Sequence, residues 1–191
     1  MRIIAGTAKG CRLKAPRGMA TRPTADRIKE SLFNILGAKV RGRKVLDLFA
    51  GTGSLGLEAL SRGADHAAFV DRSTWGALME NIRHTRLSAQ SEALRGDVFS
   101  VMARMEREGR SFDLVFCDPP YHCGLWEKTL LFLDEAELFA ERGILVVEHG
   151  ADENAVPELG SLVCVRSERY GHTTQIRFFQ RRSYVAGGEE D

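Results

Sequence analysis

The chain of 191 residues is long enough for one well-buried core and too short for two full domains. Hydrophobic residues make up 43% of it and charged residues 28%, which is typical of a globular protein and excludes a disordered or fibrous one. The longest runs of mainly apolar residues, 45–50, 114–117 and 144–147, have the length of a strand and exclude a membrane-spanning helix. Residues 1–6 contain no apolar signal core, and we therefore expect a cytoplasmic protein.

The four cysteines and five histidines show no spacing typical of a disulfide framework or a metal site. The cysteines are Cys11, Cys117, Cys123 and Cys164. Their scatter favours free thiols in a reducing compartment. His122 and His149 follow predicted strands, where packed or solvated side chains are expected. The sequence therefore predicts no metal.

The net charge of +1 conceals an uneven distribution of charge along the chain. Residues 1–45 carry twelve Lys or Arg side chains against two acids, whereas residues 46–191 carry fifteen against twenty-four. The basic residues that precede the first acid are Arg2, Lys9, Arg12, Lys14, Arg17 and Arg22. Such a segment is typical of a basic arm or hairpin that meets a polyanion, and we predict one over residues 1–22. A solvated, flexible leader is the alternative.

The first predicted element is an amphipathic helix, with Thr24 as its N-cap after Pro23 and Gly37 at its end. From there the chain alternates between strands and helices. The predicted strands are 44–50, 67–71, 92–95, 112–117 and 144–148, and the predicted helices are 54–62, 74–86, 98–108 and 125–139. This alternation predicts a parallel sheet that is covered by helices on both faces.

The end of the chain departs from the alternation. Residues 162–170 and 174–181 are strand-like and predict an antiparallel hairpin that closes the sheet edge. The predicted fold is therefore α/β and Rossmann-like, with a seven-stranded, mostly parallel sheet and a terminal antiparallel hairpin. We expect one domain over residues 23–182 and an acidic, disordered tail over residues 183–191.

The first predicted strand leads into a glycine-rich turn, Asp47-Leu48-Phe49-Ala50-Gly51-Thr52-Gly53-Ser54-Leu55-Gly56, which precedes a helix. Glycines at this spacing let the backbone approach a ligand closely, which predicts a small-molecule cofactor. Asp71 ends the second strand, where its carboxylate can accept both ribose hydroxyls. These features fit NAD as well as S-adenosylmethionine, and a chance glycine-rich turn is the alternative.

Two further acids favour S-adenosylmethionine. Asp47 lies four residues before the first glycine, and its carboxylate would attract a ligand that carries an ammonium group but repel a pyrophosphate. Asp97 ends the third strand, where it can accept a hydrogen bond from the adenine amine, although an acid in this place is also a common turn former. The cofactor predicted from these residues is a sulfonium amino acid.

The fourth predicted strand runs directly into the Asp-Pro-Pro-Tyr loop, residues 118–121. Its two prolines restrict the backbone and remove two amide donors, so that Asp118 and Tyr121 are held at set positions. Ligands bind at the carboxyl ends of parallel strands in open sheets, and we expect these side chains to face the same crevice as Gly51 and Asp71. A proline turn with an incidental Asp is the alternative.

The Asp-Pro-Pro-Tyr loop suits methylation of an exocyclic amine on a nucleic acid base. The lone pair of such an amine is delocalised into the ring, and the nitrogen becomes nucleophilic when two acceptors hold its hydrogens. The predicted acceptors are the Asp118 carboxylate and the Pro119 carbonyl, while Tyr121 is predicted to stack on the base. These three are the candidate catalytic residues, and much of the rate gain would come from positioning.

Over nearly its whole length the sequence resembles the bacterial methyltransferase family that modifies a guanine N2 of 16S ribosomal RNA. The stretches that carry the resemblance are Arg2-Ile3-Ile4-Ala5-Gly6, Lys9-Gly10-Cys11-Arg12-Leu13, Arg22-Pro23-Thr24-Ala25-Asp26-Arg27, Glu30-Ser31-Leu32-Phe33-Asn34, the glycine-rich turn with Gly56-Leu57-Glu58-Ala59, and the Asp-Pro-Pro-Tyr loop. The resemblance implies a class I S-adenosylmethionine-dependent fold and, as substrate, a partly assembled small ribosomal subunit. The family often has phenylalanine and then basic residues after the two prolines, whereas this chain has Tyr121-His122-Cys123.

The resemblance also implies roles for single residues, with Thr24 at the methionine end of the cofactor and Asp71 and Asp97 at its ribose and adenine. The predicted cofactor-binding residues are Thr24, Asp47, Phe49, Ala50, Gly51, Gly53, Asp71, Arg72, Asp97, Val98 and Asp118. The residues predicted to contact RNA are Arg2, Lys9, Arg12, Lys14, Arg22 and Arg27.

Other functions remain open at the level of sequence. The Asp-Pro-Pro-Tyr loop also fits an amine methyltransferase that acts on DNA adenine or cytosine or on a protein glutamine, although 191 residues leave no room for a separate target-recognition domain. A non-catalytic RNA-binding assembly factor would not need a cofactor loop. A dehydrogenase, the literal interpretation of the glycine spacing, would need a substrate domain.

Overall fold

The computed structural model describes residues 1–15 and 23–187, with only the backbone described for Pro23 and Thr24. The chain divides into two compact units, Met1–Val98 and Phe99–Asp191. The described residues include a seven-stranded mixed sheet, mostly parallel and with an antiparallel terminal hairpin. The fold class predicted from the sequence is therefore confirmed. Within the described residues, no helix combines the length and the apolar character needed to cross a membrane.

The first unit contains three parallel strands in the order β3-β2-β1. Its elements are α1 (Pro23–Leu36), a 3-10 helix (Gly37–Val40), β1 (Lys44–Leu48), α2 (Ser54–Ser61), β2 (His66–Asp71), α3 (Trp75–His84), a second 3-10 helix (Ser88–Gln90) and β3 (Ser91–Arg95). Four consecutive residues are buried in both β1 and β2, as expected of parallel strands covered on both faces.

Helix α1 begins two residues earlier than predicted. Pro23 is its first residue, so Thr24 lies inside the helix and is not its N-cap. Proline is favoured at this position because its fixed φ suits a helix and its missing N–H would have had no partner within the helix. The helix ends at Leu36, and Gly37 follows it with a φ of +53°, as the sequence predicted.

Residues 1–15 form a hairpin that packs on the rest of the first unit. Arg2 and Arg12 pair in an antiparallel bridge, and Ile3 N–H donates to the Cys11 carbonyl over 2.9 Å. Ile3 and Leu13 are buried at 1% and 6% exposure. The described part of the predicted basic arm is therefore an ordered hairpin with an apolar inner face, which burial of these side chains stabilises.

A buried carboxylate on α2 anchors this hairpin. Glu58 is fully buried and accepts the backbone N–H groups of Ile4 and Ala5 over 2.7 and 3.0 Å. Two cations balance its charge: Arg62 at 2.7 Å and Lys29 at 3.4 Å. Burial lowers the pKa of Lys29, which the charge of Glu58 opposes. Because removing one partner of a buried ion network typically costs about 3–5 kcal/mol, Glu58 links docking of the hairpin to the stability of α2.

We expect Gly6→Ala to be the most damaging single change in the hairpin. Gly6 has a φ of +83°, and a Cβ built there would lie 1.6 Å from the Ser61 carbonyl oxygen, so the hairpin would have to move off α2. Its free energy of unfolding should fall by about 3 kcal/mol or more, measured by denaturant titration. Gly10→Ala is the matched control, since Gly10 has a φ of +85° but nothing within 4 Å, and it should lose only about 1–2 kcal/mol. Equal losses in the two variants would contradict the docking argument.

The second unit contains four strands in the order β4-β5-β7-β6. Its elements are α4 (Val98–Arg107), β4 (Phe112–Cys117), α5 (Leu125–Glu135), β5 (Phe139–Gly150), β6 (Leu162–Tyr170), β7 (Thr174–Arg181) and α6 (Arg182–Ala186). Strands β4 and β5 are parallel, and β7 pairs antiparallel with both β5 and β6. Helix α6 lies where the sequence predicted the beginning of a disordered tail, and residues 188–191 lie outside the described residues.

Helix α5 is shorter and strand β5 longer than predicted, and distant residues account for both differences. The Arg181 guanidinium donates to the carbonyls of Asp134 and Ala136 over 2.8 and 2.6 Å at the end of α5. The Asp134 carboxylate accepts the N–H groups of Gly160, Ser161 and Leu162. These bonds give partners to carbonyl groups at the end of α5, so the helix can end at Glu135 and β5 can begin at Phe139.

Candidate active site

The glycine-rich turn lies between β1 and α2, as predicted, and has an unusual backbone. Phe49, Gly51 and Gly53 have φ values of +58°, +58° and +79°. Such a conformation costs a non-glycine residue about 1–3 kcal/mol, so Phe49 marks a place where the surrounding structure imposes the turn. A Cβ on Gly53 would lie 2.6 Å from Leu78 Cδ1, and one on Gly56 would lie 2.3 Å from Phe69 Cε1. Both glycines are therefore required by close packing.

Asp71, at the end of β2, holds the glycine-rich turn through its backbone. Its Oδ2 accepts Gly51 N–H over 3.0 Å, and its Oδ1 accepts the N–H groups of Ser73 and Thr74 over 2.7 and 2.6 Å. The Thr74 hydroxyl donates to the Gly51 carbonyl over 2.7 Å. These bonds fix the relation of the turn to the start of α3. The proposed contact of Asp71 with a ribose would add to this structural role, since a carboxylate offers about four acceptor positions.

Asp47 is buried within the glycine-rich turn, with an exposure of 1%. Its Oδ2 accepts Gly56 N–H over 2.8 Å. Burial raises the pKa of Asp47 to about 8, and the negative charge of Asp71 acts in the same direction. An ammonium group of a ligand beside this carboxyl group would favour its charged form.

The other predicted cofactor-binding residues lie in varied surroundings. Ala50 is buried and donates its N–H to the Val70 carbonyl over 3.0 Å, which aligns the turn with β2. Arg72 and Asp97 are exposed, at the ends of β2 and β3, and Val98 is buried at the start of α4. The side chain of Thr24 lies outside the described residues. Their roles toward a cofactor stay predictions.

The Asp-Pro-Pro-Tyr loop follows β4, as predicted. Asp118 is exposed, Pro119 is buried and Tyr121 is half-buried. The Tyr121 hydroxyl donates to Glu148 Oε1 over 2.6 Å and lies 3.1 Å from the Thr174 hydroxyl. Burial raises the pKa of Tyr121, and the neighbouring charge of Glu148 raises it further. The phenol therefore stays protonated and serves as an anchor at one end of the ring.

The residue after Tyr121 is also held in place. His122 has a φ of +60°, and its N–H donates to Glu153 Oε1 over 3.1 Å. Glu153 Oε2 accepts Gly150 N–H over 2.9 Å, so one carboxylate joins the loop to the end of β5. Glu148, Thr174 and Glu153 were not predicted as site residues from the sequence. For Glu148 a signal existed, because a carboxylate at the end of an apolar strand needs a partner.

The residues predicted to contact RNA are exposed wherever the structure describes them: Arg2, Lys9, Arg12, Lys14 and Arg27. Arg22 lies outside the described residues. Two of these cations already have acidic neighbours, since Arg2 lies 3.9 Å from Asp26 and Lys14 forms an ion pair with Glu80. Cys11, Cys117, Cys123 and Cys164 are free thiols. The part of the chain described contains no cluster of three or more His, Cys, Asp or Glu that could hold a metal ion.

Fold and loops together define the class of this protein. The parallel strands, the glycine-rich turn after β1 and the antiparallel terminal hairpin form the Rossmann-like fold of class I methyltransferases. The solved structure of SMU.776, a candidate methyltransferase in complex with S-adenosylhomocysteine, shares the fold with a TM-score of 0.63 at 15% identity, over 83% of this chain and 50% of that one.

The chain belongs to the family described as conserved hypothetical protein 95, which it matches over residues 1–180. Ribosomal RNA small subunit methyltransferase D of Escherichia coli K12 is 34% identical to it over 100% of this chain and 93% of the relative. The protein of the same name from Haemophilus influenzae is 35% identical over 85% and 86% of the two chains. The solved structure of yhhF from E. coli, a candidate methyltransferase, has a TM-score of 0.82 at 34% identity and covers 95% of this chain and 97% of its own. The family predicted from the sequence is therefore confirmed.

Proposed function

We propose that this protein methylates the exocyclic N2 amine of a guanine in 16S ribosomal RNA, with S-adenosylmethionine as the methyl donor. The observation that carries the proposal is the Asp-Pro-Pro-Tyr loop, in which an exposed carboxylate and an anchored aromatic ring follow the end of β4. Relatives named small subunit ribosomal RNA methyltransferases match nearly the whole chain and support RNA as the substrate. The fold shared with a protein bound to S-adenosylhomocysteine supports the cofactor.

Under this proposal the glycine-rich turn holds the cofactor. The bound cofactor supplies an electrophilic methyl group on a sulfonium sulfur. Asp47 would accept its ammonium group, Asp71 its ribose hydroxyls and Asp97 its adenine amine. The positive φ values of Gly51 and Gly53 bring backbone rather than side chains toward the ligand, which permits close approach.

The Asp-Pro-Pro-Tyr loop would hold the accepting amine. The Asp118 carboxylate and the Pro119 carbonyl accept the two hydrogens of the guanine N2 amine, which localises the nitrogen lone pair. Transfer of the methyl group to this nitrogen would break its bond to the sulfur of the cofactor, and the displaced amine proton would pass to the exposed Asp118 carboxylate and from there to solvent. Positive charge develops on the nitrogen in the transition state, and the Asp118 carboxylate stabilises it. Tyr121, held by Glu148 and Thr174, stacks on the base, a contact worth about 1–3 kcal/mol.

The N-terminal hairpin would bind the phosphate backbone. In its antiparallel bridge, Arg2 and Arg12 lie directly opposite each other, an arrangement of like charges that destabilises a hairpin by itself. The hydrogen bonds Ile3 N–H to Cys11 and Leu13 N–H to Met1 flank this pair, so its side chains are close neighbours. A polyanion relieves the repulsion. We propose that the RNA lies in a partly assembled small ribosomal subunit, which a hairpin of this size can contact beside the target base.

Neutralising Lys9 and Arg12 should weaken RNA binding and flatten its salt dependence. Each lost phosphate contact on single-stranded RNA should reduce the slope of log Kd against log salt by about 0.7. Lys14→Gln is the matched comparison, because its ammonium already pairs with Glu80 and should give a smaller change. The measurement is filter binding of a 16S RNA fragment from about 50 to 200 mM salt with Lys9→Gln/Arg12→Gln. An unchanged slope would show that the hairpin does not bind phosphate.

The proposed activity is tested by transfer of radiolabelled methyl from S-adenosylmethionine to small ribosomal subunits from cells that lack this protein. Nuclease digestion then identifies the modified nucleoside. Label in N2-methylguanosine supports the proposal. Label in another nucleoside would support RNA methylation but contradict the assignment to guanine N2. Label in DNA or protein alone would contradict the assignment of RNA as the substrate. Naked 16S RNA, assayed in parallel, tests whether assembly is required.

A further inference from the structure

Asn81, in the middle of α3, connects the N-terminal hairpin to the glycine-rich turn. Its Oδ1 accepts Lys14 N–H over 2.8 Å. Its Nδ2 donates to the carbonyls of Lys14 and Thr52, each over 2.9 Å. Thr52 lies between Gly51 and Gly53 of the turn, and Lys14 lies near the end of the hairpin. One side chain amide therefore joins the backbones of two segments to which different ligands are assigned.

Water cannot replace the hydrogen bonds of the Asn81 amide, because the residue is fully buried. A side chain amide has two donor hydrogens, and both are used here. If the hairpin or the turn moved alone, at least one buried polar group would lose its partner, at a cost of about 1–3 kcal/mol. The positions of Lys14 and Thr52 are therefore fixed together.

A second link runs in parallel through Lys29. Its ammonium donates to the Arg2 carbonyl over 2.6 Å and to the Ser54 hydroxyl over 3.1 Å. Ser54 is the first residue of α2 and follows Gly53 of the turn. The first and last parts of the hairpin are thus each linked, through Lys29 and Asn81 respectively, to a residue that adjoins Gly53.

We propose that Asn81 is a positioning residue that couples cofactor binding at the glycine-rich turn to ordering of the RNA-binding hairpin. A cofactor that fixes the Thr52 carbonyl stabilises the Lys14 backbone through Asn81, and RNA that fixes the hairpin stabilises the turn. The two ligands then bind with positive cooperativity, and linkage requires the effect to be reciprocal. The inference rests on the proposed function for RNA as the second ligand. The effect of the cofactor on the hairpin is testable without RNA.

The first test is amide hydrogen exchange of the full-length, unmodified protein, followed by NMR with and without saturating S-adenosylhomocysteine. We expect the ligand to slow exchange of the Leu13 and Lys14 N–H groups by at least about fivefold, in addition to those of the turn and α2. Protection that stops at the turn and α2, with Leu13 and Lys14 unchanged, would overturn the coupling. This measurement needs no variant and stands even if substitution of Asn81 prevents folding.

Asn81→Asp then tests the residue itself. The carboxylate keeps the acceptor for Lys14 N–H but cannot donate to the Thr52 and Lys14 carbonyls. S-adenosylhomocysteine should still protect α2 while the protection transmitted to Leu13 and Lys14 disappears. The matched control is Thr85→Val, at the residue that directly follows α3. It removes buried hydroxyl bonds to the Asn81 and Ile82 carbonyls and should retain the transmitted protection. Transmitted protection that persists in Asn81→Asp, or is lost equally in Thr85→Val, would assign Asn81 a purely structural role.

The effect of RNA on the cofactor site is tested by measuring the affinity for S-adenosylhomocysteine with and without a 16S RNA fragment. RNA should tighten binding of S-adenosylhomocysteine at least about fivefold in the unmodified protein and leave it unchanged in Asn81→Asp. Failure of the RNA to bind at all would overturn the role of the hairpin in the proposed function, while the exchange result would still decide the link from cofactor to hairpin. RNA that binds without changing this affinity would overturn the coupling alone.

Discussion

Asp118→Ala should reduce the rate of methyl transfer at least about a hundredfold while leaving the affinity for S-adenosylmethionine nearly unchanged. Asp118 is also among the predicted cofactor-binding residues, but the proposed function assigns its carboxylate, which is exposed at the end of β4, to the accepting amine. Its loss removes an acceptor that stabilises charge only in the transition state, so kcat should fall more than KM changes. Single-turnover transfer to small subunits and calorimetry with S-adenosylhomocysteine give the two quantities.

The matched control for this prediction is Asp113→Ala. Asp113 is the same residue type in the same strand, near the end opposite to the Asp-Pro-Pro-Tyr loop. It should retain most of the activity, because active-site residues of open parallel sheets lie at the carboxyl ends of the strands. Turnover that survives in Asp118→Ala would exclude the role assigned to that carboxylate, and cofactor binding that disappears with it would move Asp118 into the cofactor site.

Asp47→Asn should stabilise the free protein and weaken cofactor binding. The pKa of Asp47 is about 8 in the folded protein and 3.8 as an ordinary Asp, so the folded state keeps a proton that the unfolded state releases between these values. Stability of the unmodified protein therefore falls as pH rises from about 4 to about 8. An amide of the same shape can still accept Gly56 N–H and does not titrate. At pH 8 the variant should gain at least about 1.4 kcal/mol in free energy of unfolding, the equivalent of one pKa unit.

The same substitution separates a structural carboxyl from one that binds the cofactor. If the Asp47 carboxylate receives an ammonium group, binding requires loss of its proton. The Kd of the unmodified protein for S-adenosylmethionine should then decrease about tenfold per pH unit from pH 6 to pH 8, after correction for titration of the ligand. The Asp47→Asn variant should bind more weakly and show no such residual pH dependence. Identical pH profiles in the two proteins would contradict the ammonium contact.

The local motifs were predictable from the sequence. The alternation of apolar strands and amphipathic helices defined the α/β sheet, and the glycines after Asp47 predicted a turn whose positive φ values the structure shows. The prolines after Asp118 follow β4, as predicted. These signals depend on residues within one element or one turn. The predicted ends of elements were less accurate where the ends depend on distant partners. At the end of α5, for example, two carbonyl groups accept hydrogen bonds from Arg181, 45 and 47 positions away.

What supports those motifs was decided only by the tertiary structure. Glu58 anchors the hairpin 53 and 54 positions away, Asn81 reaches Lys14 across 67 positions, and Glu148 holds Tyr121 across 27. In each case the sequence neighbours of the polar residue do not identify its partner. A buried polar group must find a partner, but which one it finds depends on how the helices pack on the sheet. The sequence by itself therefore determined the fold class and the places of the glycine-rich turn and the Asp-Pro-Pro-Tyr loop, whereas folding determined the contacts that hold them in position.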